Sequence, residues 1–455
     1  MILAYSLERW QSGRMRSPRK RLSRENGIGG SNPPLSSITH RLLMFKTTAK
    51  LFFFSLVFCS QMFSMVGDNR YFPFFPRPHT RITEKPSWFA VDTFFTRATK
   101  AYDDKENEVE IPALFGEYNQ YNLGRALTLI GEENPLPSSF WNEEKLFWDI
   151  CQKIESQGIA LNYEQKLFSP LSVGFSWLLM HVRSCHEFCL KPRKIALRNA
   201  GHLDELKESR RKMHEALGIT DAQFSSTDMG DFDFYLRVGS MWDYIYKCRR
   251  VDAGIKLGVL MPAGRCMDIN VPTSVPFGGN GHWGMYVQGD VEFELREDMK
   301  FGMSLRGSKR FAKAVCKRLP LAGEHPLYGA LVAPIYVDPG MSCIFSPYFS
   351  MENIREGLGF RVGLNLTTRA DDLWLDGRSD SEQQEKYSDI IKAAQKTGWA
   401  SDYISINVFY DFGKTEKERG YKPILTFSWD FPRFIFVSED VLRTHRISLG
   451  LEVNF

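Results

Sequence analysis

The chain has 455 residues, 43% hydrophobic and 25% charged, with a formal net charge of +4. That length admits one large barrel or two to three ordinary domains, and the composition suits a soluble protein as well as a barrel with one apolar and one polar face. Beyond residue 65 no segment supplies the roughly 20 apolar residues of a membrane helix. This excludes a helical membrane protein but not a β-barrel, whose alternating strands of about 10 residues average out in any hydropathy window.

The first 43 residues resemble a translated transfer-RNA gene. Gly30-Ser31-Asn32-Pro33 can be spelled by the T-arm codons, and Trp10-Gln11-Ser12-Gly13-Arg14 matches a serine-type D-arm in the same way. Residues 1–43 are therefore expected to be upstream translation rather than working protein. The alternative is a nucleic-acid-binding arm built on Arg14, Arg16, Arg19, Lys20, Arg21 and Arg24. From Met44 onward, Lys46 and Lys50 precede the apolar run Leu51 to Phe58 and a small, polar stretch at Ser60 to Ser64, the layout of a signal peptide over 44–65. The bulky Phe58 before Cys59 argues against a lipoprotein site. Without residues 1–65 the net charge is −4, and no nucleic-acid partner is expected. Residues 66–86 are expected to be a periplasmic N-terminal segment.

From Trp88 the chain contains recurrent period-2 segments, clearest at Trp283 to Arg296. There Met285, Val287, Val291, Phe293 and Leu295 face one way, and Tyr286, Gln288, Asp290, Glu292 and Glu294 the other. Twelve strands are predicted, near 87–97, 158–168, 171–184, 231–247, 249–262, 282–296, 299–311, 341–353, 357–369, 402–412, 421–432 and 444–455, with ten and fourteen as neighbouring counts. The connections alternate between short and long, as periplasmic turns and outer loops do, and an even strand count returns both termini to one side. The predicted fold is all-β: a closed antiparallel transmembrane barrel over 87–455. Helices are expected in the long loops at Asn142–Gln157, Leu203–Leu217 and Glu382–Thr397.

The C-terminal Ile447-Ser448-Leu449-Gly450-Leu451-Glu452-Val453-Asn454-Phe455 alternates strictly and ends on an aromatic. It resembles the β-signal of Gram-negative outer-membrane barrel proteins, a porin-like superfamily. The resemblance implies an outer-membrane location among its lipids, and the barrel-assembly machinery as a partner reading Leu449, Leu451, Val453 and Phe455. No named porin, receptor or transporter is matched by motif.

Residues bearing chemistry are sparse. The eight cysteines form no zinc-ribbon ladder, Cys185, His186 and Cys189 read as incidental, and no metal or cofactor is expected. Gly279-Asn280-Gly281-His282-Trp283-Gly284 spells a dinucleotide fingerprint but precedes a strand, where the chemistry needs a helix. His181 and His186 are the candidate bases of an outer-membrane lipase, with no serine fixed by spacing. The expectation is no enzyme.

Two functions remain: a porin-like channel for small polar solutes, and a surface interaction protein anchored by its barrel. Alternation directs Asp233, Arg237, Asp252, Lys256, Asp290, Glu292, Glu294, Lys300, Arg306, Arg361, Asp411, Asp430, Arg446 and Glu452 into the lumen. The strands at 282–296 and 299–311 form a predicted hairpin setting Asp290, Glu292 and Glu294 against Lys300, Arg306 and Arg310 as facing acidic and basic columns. Leu114, Phe115, Tyr118 and Tyr121 make residues 110–130 too apolar for a free loop. That segment is expected to fold into the lumen as a plug, or to lie as a cap across the outer loops.

Overall fold

The computed structural model describes residues 69–72, 87–140, 146–190, 202–219, 222–243, 248–321, 323–376, 397–415, 423–433 and 436–455. Everything below concerns these residues. The expected signal peptide, the upstream segment and the helix expected at Glu382–Thr397 lie outside them, save Thr397.

Twelve long strands form the wall: β1 (Trp88–Tyr102), β2 (Phe147–Phe168), β3 (Leu171–Leu190), β4 (Phe232–Asp243), β5 (Arg250–Met261) and β6 (Gly284–Arg296) are followed by β7 (Met299–Arg310), β8 (Ser342–Arg355), β9 (Leu358–Arg369), β10 (Trp399–Asp411), β11 (Pro423–Pro432) and β12 (Val441–Asn454). Each pairs antiparallel with its sequence neighbours. β1 pairs with both β2 (Phe95↔Gln157) and β12 (Phe95↔Ile447), so the sheet closes without an edge. Closure is what lipid requires, since it offers no partner to free backbone N–H and C=O groups.

The alternation that creates the strands also sorts their faces. Phe234, Leu236 and Val238 of β4 and Ile255, Leu257 and Val259 of β5 point outward, each about half exposed to the surroundings, while Asp233, Tyr235, Arg237, Asp252 and Lys256 between them are buried. This is an inside-out arrangement for a protein in water, and the normal one for a barrel whose outer face meets lipid. The chain is thus a transmembrane barrel of the outer-membrane type.

Both termini of the barrel and its short turns share one end. The β8–β9 turn is the two-residue pair Glu356-Gly357, both with positive φ (41° and 92°), as a type I′ hairpin demands. Long connections occupy the other, outer end. There β2 and β3 run past the lipid band, as their outward side chains change from Ile159, Leu161 and Leu179 to Lys153, Glu155 and Arg183.

Two expectations are corrected here. The helix expected at Asn142–Gln157 is strand from Phe147 onward. Phe147, Ile150, Cys151 and Ile154 carry helical spacing, but Trp148, Ile150, Gln152, Ile154 and Ser156 carry strand spacing, and pairing with both β1 and β3 decides for strand. The periplasmic placement of residues 66–86 fails at Asn69–Phe72. Tyr71 and Phe72 are buried at the outer end of the barrel, where Thr444 Oγ1 donates to the Tyr71 carbonyl at 3.1 Å. Two aromatic side chains need an apolar site, and the barrel mouth supplies one.

The outer loops add structure that alternation alone did not reveal: α1 (Gln120–Leu129), a strand at Gln223–Met229 lengthening the wall beside β3, and a separate three-stranded sheet of Lys313–Leu319, Leu331–Asp338 and Leu373–Asp376. Helix α2 (Leu203–Ala216) matches the helix read at Leu203–Leu217, and buries Leu206 and Met213.

Candidate functional site

The strongest concentration of buried charge lies on the inner faces of β4–β8. Arg237 on β4 is shared by two carboxylates: it pairs with Asp252 of β5, and its Nη2 lies 2.6 Å from Asp290 of β6. Two glycines make room for it, because a Cβ at Gly239 or Gly254 would collide with the guanidinium. Arg306 on β7 donates to Asp233 on β4 at 2.9 Å and lies 3.7 Å over the Tyr286 ring. Glu164 of β2 accepts from Tyr235 at 2.8 Å, with Lys256 Nζ at 3.6 Å and also over the Tyr235 ring.

Nearer the short turns, Lys300 donates to Glu352 at 2.8 Å, Glu292 accepts from Tyr348 at 2.5 Å, and Arg250 lies 3.3 Å from Glu294. Further round the wall Arg446 Nε donates to Asp430 at 2.6 Å, and Arg361 of the adjoining β9 faces the Tyr348 and Phe409 rings. Glu452 is buried, and Asp411 accepts from the Gly413 N–H at 2.8 Å in the turn that follows β10. All of these charged residues stand at inward positions of their strands. Tyr235, Tyr286 and Tyr348, which lie between the ion pairs, are the members that residue charge alone does not single out.

The facing columns expected between β6 and β7 are not formed. The register sets Lys300 opposite Glu294, but Arg306 opposite Gln288 and Arg310 opposite Gly284. The acids cluster near the turn and Arg306 and Arg310 lie well above it, so those arginines find partners elsewhere: Arg306 on Asp233, and Arg310 on Asp231 and the His282 carbonyl. The charges neutralise one another in local clusters instead of setting up a field across one hairpin.

Above the charged layer the mouth is apolar. The 3-10 turn Ile111–Phe115 places Ile111 and Leu114 against Phe94, Ala98, Ile154, Met180 and Val182 of the inner wall, together with Tyr71, Phe72, Val275 and Phe277. Its position is fixed by a directional bond. His325 Nδ1 accepts from the Leu327 N–H, so its Nε2–H donates to the Pro112 carbonyl at 2.9 Å, in a buried setting. Burying side chains such as Ile111 and Leu114 contributes about 1.5–3 kcal/mol each.

The segment then divides. Tyr118, Leu123 and Leu127 leave the mouth for a second apolar cluster with Trp148, Leu190, Leu206, Met213 and Tyr328, where Tyr118 OH bonds His214 Nε2 at 2.8 Å and Tyr121 packs at the edge. Residues 111–115 sit inward, and 118–129 cap the outside.

His181 faces outward at the top of the lipid band, bonded to Thr227 Oγ1 at 2.7 Å and to Arg183 Nε at 3.1 Å; His186 bonds Tyr328 OH at 2.7 Å. A lipase dyad would need a serine in those places. Gly279 to Trp283 form the loop entering β6, with no helix following. Among the described residues no cluster of three or more His, Cys, Asp or Glu side chains is arranged to hold a metal. Leu449, Leu451 and Val453 lie on the outer face of β12, and the Phe455 N–H donates to the Ser87 carbonyl at 2.9 Å.

No protein-family model and no curated protein matches the sequence. Among solved structures the fold is similar to an outer-membrane channel from Pseudomonas putida F1 (11% identity, 84% of this chain and 100% of that one, TM-score 0.46). It is also similar to a deletion mutant of the TodX monoaromatic hydrocarbon channel (9%, 87% and 98%, 0.36) and to a Pseudomonas aeruginosa FadL homologue (9%, 81% and 90%, 0.30). At such identities and scores the likeness is one of architecture and speaks to no cargo.

Proposed function

We propose that the protein is a gated outer-membrane channel for small polar solutes whose outer mouth is shut in this structure. The observation that carries this reading is the layering of the lumen. A lumen that served only as a packed core would be filled most simply by apolar side chains, yet the inner faces of β4–β8 carry Arg237, Asp252, Asp290, Arg306 and Asp233. The apolar closure is confined to the outer end, on a short segment, Ile111–Phe115, that belongs to a loop rather than to the wall. Loops folded into the lumen narrow or plug many outer-membrane barrels. Charged linings of this kind set selectivity where water is admitted.

A second reading is a barrel anchoring an outer surface for interaction. It is favoured by the extension of β2 and β3 beyond the lipid band and by the cap they carry, in which Leu123, Leu127, Leu206 and Met213 are fully buried.

Liposome swelling separates the two. Vesicles holding the barrel lacking residues 110–130 should admit arabinose and glycine much faster than vesicles holding the full chain, with rates falling as solute size grows. A deletion variant that remains a folded, heat-modifiable barrel and admits neither solute would remove the channel reading and leave the anchor.

A further inference from the structure

The outer loops line an open-sided cavity of about 630 Å³ between the mouth closure and the apolar cap, bordered by Phe115 of the first and Leu327 of the second. Its wall is the strand Lys313–Leu319, its floor Phe115 and Gly116, and its remaining sides the loop around Met267 to Pro272 and the stretch up to Leu327. That volume is in the range of sites for small organic ligands. Phe115, Ile269, Val315, Leu327 and Trp374 make much of its lining apolar.

Its charged members are Glu117, Asp268, Lys313, Lys317, Arg318 and Glu324, and they differ in availability; Glu117 is already engaged. Arg318 is spent on the carbonyls of Ile269, Gly329 and Leu217 and on Asn270 Oδ1. Glu324 accepts the N–H groups of Leu321 and Ala330. Asp268 accepts the Asn270 N–H, and Lys313 touches the Gly281 carbonyl at 3.5 Å. Lys317 differs: its Nζ lies 4.1 Å over the Trp374 ring. Asp372, the carboxylate that bears on Lys317, is held by Arg369 and by the Gly340 N–H. An ammonium resting on an aromatic face keeps its donors directed away from the ring.

We infer that this cavity binds a small amphiphilic anion, a monocarboxylate with an aliphatic or aromatic body. The carboxylate meets Lys317, and the body lies among Phe115, Ile269, Val315 and Leu327. A neutral apolar ligand would leave the ammonium with only the charge of Asp372, which Arg369 already shares, and a compact inorganic anion would leave the apolar lining empty. Burial already pushes the Lys317 ammonium down to about 8, so a carboxylate brought against it recovers part of that desolvation cost. The site stands beside the mouth closure, since Phe115 ends the same 3-10 turn that carries Ile111 and Leu114. It is independent of whether solutes cross the lumen.

The native thiols supply a test on the unaltered protein. Cys266 and Cys316 are free, exposed and line the cavity, whereas Cys185 and Cys189 are exposed outside it. With the full-length barrel in detergent, octanoate should slow modification of Cys266 and Cys316 by a methanethiosulfonate reagent severalfold and leave Cys185 and Cys189 unchanged, while 1-octanol protects much less. Lys317→Met should abolish the advantage of octanoate over octanol, and Lys317→Arg should restore it. Equal protection by octanoate and octanol, uniform protection of all four thiols, or none at all overturns the inference. None of these outcomes bears on solute swelling, so failure here is distinct from failure of the channel reading.

Discussion

Arg306 Nη2 donates to Asp233 Oδ2 at 2.9 Å, although the two residues stand on β7 and β4 with two strands between them. The bond is therefore a chord across a sector of the lumen, made between groups that are both almost fully buried. Removing one partner strands the other charge, which costs about 3–5 kcal/mol for a buried pair. Arg306→Met should accordingly lower stability by about that much, while Arg306→Met with Asp233→Asn should recover most of the loss. Urea unfolding in liposomes measures both. Additive losses in the double variant would show that the two side chains are not coupled.

The space for Arg237 comes from glycine. A side chain at Gly254 would occupy the site of the guanidinium that joins Asp252 and Asp290. Gly254→Val should destabilise by about 1–3 kcal/mol through overpacking, with more lost if the two carboxylates are left unpaired. Because Arg237→Met alone already strands Asp252 and Asp290, adding Gly254→Val to that variant should cost little more, and thermal unfolding in detergent can read the non-additivity. A Gly254→Val barrel as stable as the parent would mean that Arg237 has another place to go.

The outer cap should be acid-sensitive through His214. Its imidazole is half-buried, bonded to Tyr118 and stacked on Tyr328, and the loss of water around it pushes its pKa down to about 3 from an ordinary value near 6.5. Between those values an opened cap binds a proton that the closed cap refuses. The stability held by the neutral ring is complete above pH 6.5 and declines as the pH falls toward 3. Hydrogen exchange in α2, corrected for the intrinsic rate, should therefore speed up below pH 6 in the parent and less so in His214→Phe, where His186 on Tyr328, its pKa also held well below the ordinary value by burial, remains. Identical pH profiles would assign the acid sensitivity to another group.

How much of this was legible in the sequence follows from the range of each interaction. The strands were, because alternation is local: Phe234, Leu236 and Val238 announce an outward face wherever they lie. Lumen-side positions such as Asp233 and Arg306 come from the same parity. That these two bind each other does not, since it depends on a register summed over four strands. The stretch Phe147 to Gln157 satisfied both helical and strand periods, and only the pairing of Glu155 with Arg97 and Arg183 settles it. The apolar excess of residues 111–123 marked a buried segment but not its division, because Leu114 and Tyr118 find separate clusters through partners remote in the chain. The small sheet around Lys313–Leu319 is not legible in the sequence, because a strand carrying Lys313, Lys317 and Arg318 has no clean apolar face.

Ile111 and Leu114 fill the mouth, seated among Phe94, Met180 and Val182 and tied down through Pro112 to His325. Single-channel recording in planar bilayers of the full chain and of its Ile111→Asp/Leu114→Asp variant tests this closure most directly. Two carboxylates cannot remain in that apolar cluster without a cost of several kcal/mol, so the turn should leave the mouth. The parent should show brief, rare openings and the variant a long-lived conductance, at unchanged heat-modifiable migration. A variant that folds into the same barrel and conducts no more than the parent would contradict it.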